Sequence, residues 1–100
     1  MDVALVLDRS RWPTARERFE LRVGLTADLV HVLGANEVDV VVLNDAPPLF
    51  ARRVLSRGLS VFCDDEDSNR DFRRDVQLRA ADLEPFLDRH RRTKLDALAR

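Results

Sequence analysis

One carboxylate in this chain stands where packing alone would not put it. Asp39 is set into the run Val38-Asp39-Val40-Val41-Val42-Leu43-Asn44-Asp45. Consecutive β-branched valines with aliphatic flanks are the composition of a strand buried on both faces. An unpaired charge buried there would cost several kcal/mol. Asp39 therefore lies near a strand end in contact with water, or it is paired with a metal or a basic group. Alternation with period two places Asp39, Val41 and Leu43 on one face and Val38, Val40 and Val42 on the other. A second acid, Asp2, opens the aliphatic run that begins the chain.

The remaining reactive side chains read more plainly. Asp8 is at the far end of the first aliphatic run. Asp64-Asp65-Glu66-Asp67 reads as a polar turn that caps the last helix. Arg89-His90-Arg91-Arg92 reads as a solvated helix face, with His90 partly buried on an apolar stripe. The lone Cys63 reads as core packing. One cysteine excludes an internal disulfide framework, and two distant histidines give no zinc pattern.

The elements that must position these groups alternate along the chain. Met1 to Asp8 is a strand pattern. Thr14-Ala15-Arg16-Glu17 has capping-box spacing, so a helix begins there. Leu21, Leu25, Leu29, Val32 and Leu33 then recur at helical spacing until Gly34. The strand around Asp39 follows, near residues 37–43, and its uniformly apolar character makes it the central one. Asn44-Asp45-Ala46-Pro47-Pro48 is a helix entrance, and a short helix runs to about Arg57, stopped by Gly58. Leu59 to Cys63 is a third strand. From Ser68 the pattern is helical, with Phe72, Val76, Ala80, Leu83, Leu87, His90, Leu95 and Leu98 on one stripe. Pro85 predicts a break, with Asp82 capping a second segment. The order β-α-β-α-β-α indicates a two- or three-layer α/β domain.

Composition bounds the function. One hundred residues, 45% hydrophobic and 35% charged, make one small soluble domain. A net charge of −1 argues against a dedicated nucleic-acid binder. Residues 1–69 carry 12 acids and 8 bases, whereas residues 70–100 carry 6 acids and 9 bases, so the C-terminal third is mildly basic. No apolar run approaches a membrane span and no signal peptide is visible, which points to the cytoplasm.

The succession from Val38 through Asn44-Asp45-Ala46-Pro47-Pro48-Leu49, then Gly58-Leu59 and a strand ending in acids, resembles the minimal nucleotidyltransferase domain. Members of that family are antitoxins encoded beside HEPN-domain toxin ribonucleases. The likeness spans Asp2 to about Leu87, with the Asn-Asp-Ala-Pro-Pro entrance as its most specific part. It implies a polymerase-β-like α/β fold, a small mixed sheet flanked by helices, here lacking the first helix and strand. It also implies AMP transfer from ATP with Mg2+, and a HEPN toxin as partner. The family pattern is a Gly-Ser turn, then Asp-hydrophobic-Asp, then a third acid on the next strand. Such carboxylates hold two divalent cations that bridge the triphosphate. In this chain Asp2 falls at the first acid and Asp39 at the third, so these two are the expected catalytic and metal-binding residues. Ala4 occupies the second position, and Met1 stands where Ser or Thr would precede Asp2.

Three functions follow. The first is an antitoxin that binds and neutralises a HEPN ribonuclease with a degenerate transferase site. The second is an active adenylyltransferase, acting on a toxin tyrosine, whose true N terminus lies upstream. The third is a generic α/β interaction domain. The missing neighbour of the first strand leaves an edge at residues 2–7 that invites a partner or a second copy.

Overall fold

The computed structural model describes residues 1–34 and 37–99. Two short parallel strands lie at its centre, β1 (Asp2–Leu5) and β2 (Asp39–Val42), with Asp2 beside Asp39 and Leu5 beside Val42. The helix α1 (Ala15–Leu33) links them, as a parallel pair requires. Thr14 caps it from an extended backbone, its Oγ1 accepting the Glu17 amide at 3.1 Å. Gly34 ends it in the left-handed region at φ 63°, the conformation that favours glycine.

After Val42 the chain tightens into a 3-10 turn, Leu43–Asp45, and enters α2 (Pro48–Arg57) with Pro48 in the first turn. Proline suits that place because its missing amide has no helical partner there. The Gly58 amide closes α2 on the Val54 carbonyl at 2.7 Å. Asp65 then starts the 34-residue α3 (Glu66–Ala99), its Oδ1 accepting the amides of Asp67 and Ser68. No helix among the described residues is long and apolar enough to cross a membrane.

The core is small and sits on one face of β2. Leu43, Ala51 and Val76 are its buried centre, with Val41, Val54, Leu55 and Phe72 packed around them. Alternation then leaves Val38, Val40 and Val42, all buried, for the face that meets α1. Three layers result: α1, the strands, and the α2–α3 pair. The first half of α3 carries that packing. Its second half is exposed almost throughout, and about 51 Å of helix accounts for most of the molecule's 55 Å length.

The fold departs from six expectations. Leu59 to Cys63 is not a strand: it follows Gly58 as irregular chain, with Leu59, Val61 and Phe62 exposed by 84–90%. A β-rich composition needs a neighbour's peptide groups to become a strand, and among the described residues none pairs with it. Among the described residues the sheet therefore has two strands and is parallel, not mixed, so β2 is an edge and not the central strand. Cys63, in the same segment, is exposed and not core, and His90 is exposed on the free half of α3. Pro85 lies inside α3 without ending it. Proline removes one helical hydrogen bond and kinks more often than it terminates, and an exposed helix leaves the freed carbonyl to water. The stripe drawn to Leu98 is described throughout, and Arg100 lies outside the described residues.

Candidate functional site

Asp2 and Asp39 are register partners in the parallel ladder, so they share a rung and a face. Both are the first residues of their strands, and both are exposed. The Asp39 amide donates to the Met1 carbonyl at 2.9 Å, and the terminal ammonium donates to the Glu37 carbonyl at 3.1 Å. Asp39 thus stands exposed at a strand start, and among the described residues no basic side chain is ion-paired with it.

The donor set here does not fit the two-cation centre of the resembling family. Two carboxylates face one side, and two residues along that face comes Ala4 beside Val41, a methyl against an isopropyl. No group of three or more His, Cys, Asp or Glu side chains among the described residues is arranged to hold a metal. Asp8 is turned to its own loop, where the Ser10 amide and hydroxyl donate to it and hold its carboxyl below the ordinary value. Asp65 is likewise held low by donors from Ser68 in its capping role. The acidic run thus caps α3, as its spacing indicated.

The carboxyl ends of the strands, where open α/β sheets place ligands, are closed by two side-chain clamps. Buried Asn44 reaches across to Leu7: its Oδ1 accepts the Leu7 amide and its Nδ2 donates to the Leu7 carbonyl, both at 2.8 Å. The amide side chain thereby continues the ladder where β2 has turned away. Beside it Asp45 receives two bonds from buried Arg18, from Nε at 2.9 Å and Nη2 at 2.8 Å. Arg18 also donates to the Trp12 carbonyl at 2.8 Å, tying the β1–α1 connection to the same post. Hydrogen bonding to Arg18 holds the Asp45 carboxyl below its ordinary value and raises that of the guanidinium. Sequence reasoning took Asn44-Asp45 as a helix entrance and missed both clamps. The signal was Arg18 itself, which precedes Leu21, Leu25 and Leu29 on the inward stripe of α1.

A groove of about 700 Å³ opens between α1, β2 and α2. Phe19, Val41, Val42, Pro47 and Phe50 line it, and Arg16 and Arg22 stand along its α1 side. The Arg22 guanidinium lies 5.7 Å from the Phe19 ring centre, a cation–π contact. With an apolar lining and few convergent polar groups, the groove suits a peptide or protein side chain better than a charged metabolite.

No protein-family model matches the chain, and neither a curated protein nor a solved structure does. What the fold defines is a small α/β protein with a two-stranded parallel sheet between one helix and a helical pair.

Proposed function

We propose that this chain is a binding protein, an antitoxin that neutralises a HEPN-family ribonuclease by contact and transfers no nucleotide. One observation carries the binding half of that reading. The molecule exposes 8239 Å², against about 5,800 Å² for a compact monomer of its mass. The difference, about 2,400 Å², is more than the roughly 800 Å² that one partner contributes to a standard-size interface. Phe86, Leu95 and Leu98 stand exposed on the free half of α3 beside Arg89, Arg91 and Arg92. The HEPN identity of the partner rests on the sequence resemblance. The absence of transfer rests on the donor set: with Ala4 in the second acid's place, the charge that would organise a metal-bound triphosphate is incomplete.

The second reading, an active Mg-dependent adenylyltransferase with ATP as donor, is favoured by the shared rung of Asp2 and Asp39. One experiment separates the two. Purified chain is incubated with labelled ATP, magnesium and the neighbouring gene's HEPN product. A stable complex without label is the expected result. Label on a partner tyrosine that vanishes in Asp39→Ala establishes transfer, and no complex at all removes the antitoxin reading.

A further inference from the structure

Among the described residues four arginines are buried or half-buried, and three of them meet a carboxylate. Arg18 pairs with Asp45, Arg52 with Glu84 and Arg79 with Asp75. The fourth, Arg73, is half-buried and donates from Nη1 to the Leu55 carbonyl at 3.2 Å. No ion pair among the described residues includes it. A guanidinium drawn from water against a neutral carbonyl keeps an unmatched charge, which the other three do not. One N–H of its five suffices to cap α2, so the cap leaves most of its donors unused.

Arg73 lines a cleft of about 60 Å³ between α2 and α3, with Arg52, Gln77, Ser56, Leu55 and Val76. That is the space of about two waters, enough for a phosphoryl group and too little for a larger body. No residue of β1 or β2 lines it, so it stands apart from Asp2 and Asp39. Arg52 is held by Glu84 through Nη2, and its Nε and Nη1 make no hydrogen bond among the described residues. The Gln77 side chain is exposed and likewise without a partner there. Three carbonyls near the end of α2, whose dipoles would repel an anion, each already accept a bond. Arg53 accepts from the Ser56 hydroxyl, Val54 from the Gly58 amide and Leu55 from Arg73.

The surrounding charge is positive. α2 carries Arg52, Arg53 and Arg57 and no acid, and residues 69–79 of α3 carry Arg70, Arg73, Arg74 and Arg79 against Asp71 and Asp75. We propose that this cleft is an oxyanion site that takes a phosphoryl group between the guanidiniums of Arg52 and Arg73, with the Gln77 amide donating beside them. Planar guanidiniums offer paired N–H groups at the spacing of phosphate oxygens. The net positive field favours the higher charge of a phosphate over that of a carboxylate. The remainder of a phosphorylated ligand stands on the open side of the cleft.

The test uses the full chain with inorganic phosphate and no other protein, so its outcome is independent of any HEPN complex. Titration at constant ionic strength is followed by heteronuclear NMR. The Arg73 Nε–H and Gln77 side-chain amide signals are expected to move saturably, with a dissociation constant of about 1 mM or below. Gln77→Glu changes an exposed residue, leaves the Arg73 cap of α2 in place and sets a carboxylate in the cleft. It should weaken phosphate binding about tenfold or more, with an unaltered circular dichroism spectrum. Arg92→Gln, on the distal half of α3, should bind as wild type does. AMP and a dinucleoside phosphodiester then separate a terminal phosphate from a backbone one, the tighter ligand naming the source. No saturable shift up to about 10 mM phosphate would overturn the proposal. So would full affinity in Gln77→Glu, or an equal loss in Arg92→Gln, which marks diffuse attraction to a basic surface and not a site.

Discussion

Asn44 and Asp45 do the work of joining the first third of the chain to the second. Asn44→Ala removes both bonds to Leu7 and leaves an amide and a carbonyl without partners. At about 1–3 kcal/mol for each such group, the loss should be about 2–4 kcal/mol in urea unfolding, with fast exchange at the Leu7 amide. Asn44→Asp keeps the acceptor but sets a carboxylate against the Leu7 carbonyl, so it should rescue little. For Asp45 the sign follows from its lowered carboxyl. A group held lower in the folded state contributes stability above its unfolded pKa and loses it as the pH falls through the folded one. The thermal midpoint of wild type should exceed that of Asp45→Asn at pH 7, and the gap should close below about pH 4. Asp8 and Asp65 titrate in both proteins and cancel in that difference. The Asp45 side chain is 37% exposed, so solvent screens the pair and the gap is modest. A gap that widened in acid would remove the Arg18 clamp from the account.

The elements with local signals were legible in the sequence, and the one that depends on a neighbour was not. Thr14 and Gly34 bound α1, and Pro48 and Gly58 bound α2, because caps and φ restrictions act within a few residues. Leu59 to Cys63 carries a strand's composition, but whether it pairs depends on distant chain, which local pattern cannot report. The same holds at the candidate site. The capping acids could be read from position alone and Asp39 only as far as a choice between a strand end and a paired charge, whereas the Asn44–Leu7 bonds span 37 residues. The glycines test the local part. Gly34→Ala meets no atom within 4 Å, so its effect is the left-handed backbone alone, about 1 kcal/mol. At Gly58 an added Cβ would stand 2.8 Å from the Val54 carbonyl oxygen. Gly58→Ala should therefore open the end of α2 and lower stability by about 1–3 kcal/mol. Thermal unfolding of both variants checks the order, which would fail if Gly34→Ala were the more damaging.

At the scale of the whole molecule, shape and stability are carried by different halves of α3. A radius of gyration of 17.0 Å, against about 13 Å for a compact chain of this length, reflects a helix that outruns the body it packs on. Val76 and Ala80 are fully covered by the body, and Arg52–Glu84 is the last ion pair between α2 and α3 among the described residues. Beyond Asp88 every side chain described is exposed. Truncation after Asp88 should therefore leave the thermal midpoint nearly unchanged, while small-angle scattering records a shorter particle. Val76→Ala is the opposite case: it opens a void in the core and should cost about 1–3 kcal/mol without altering the shape. If the free half of α3 is the partner-binding surface, the truncated protein should lose the HEPN complex and Val76→Ala should keep it at temperatures where it is folded. Isothermal titration with the partner reads this directly. Full affinity in the truncated protein would move the interface to the body of the molecule, and a collapsed melting temperature would show that the distal helix packs on it after all.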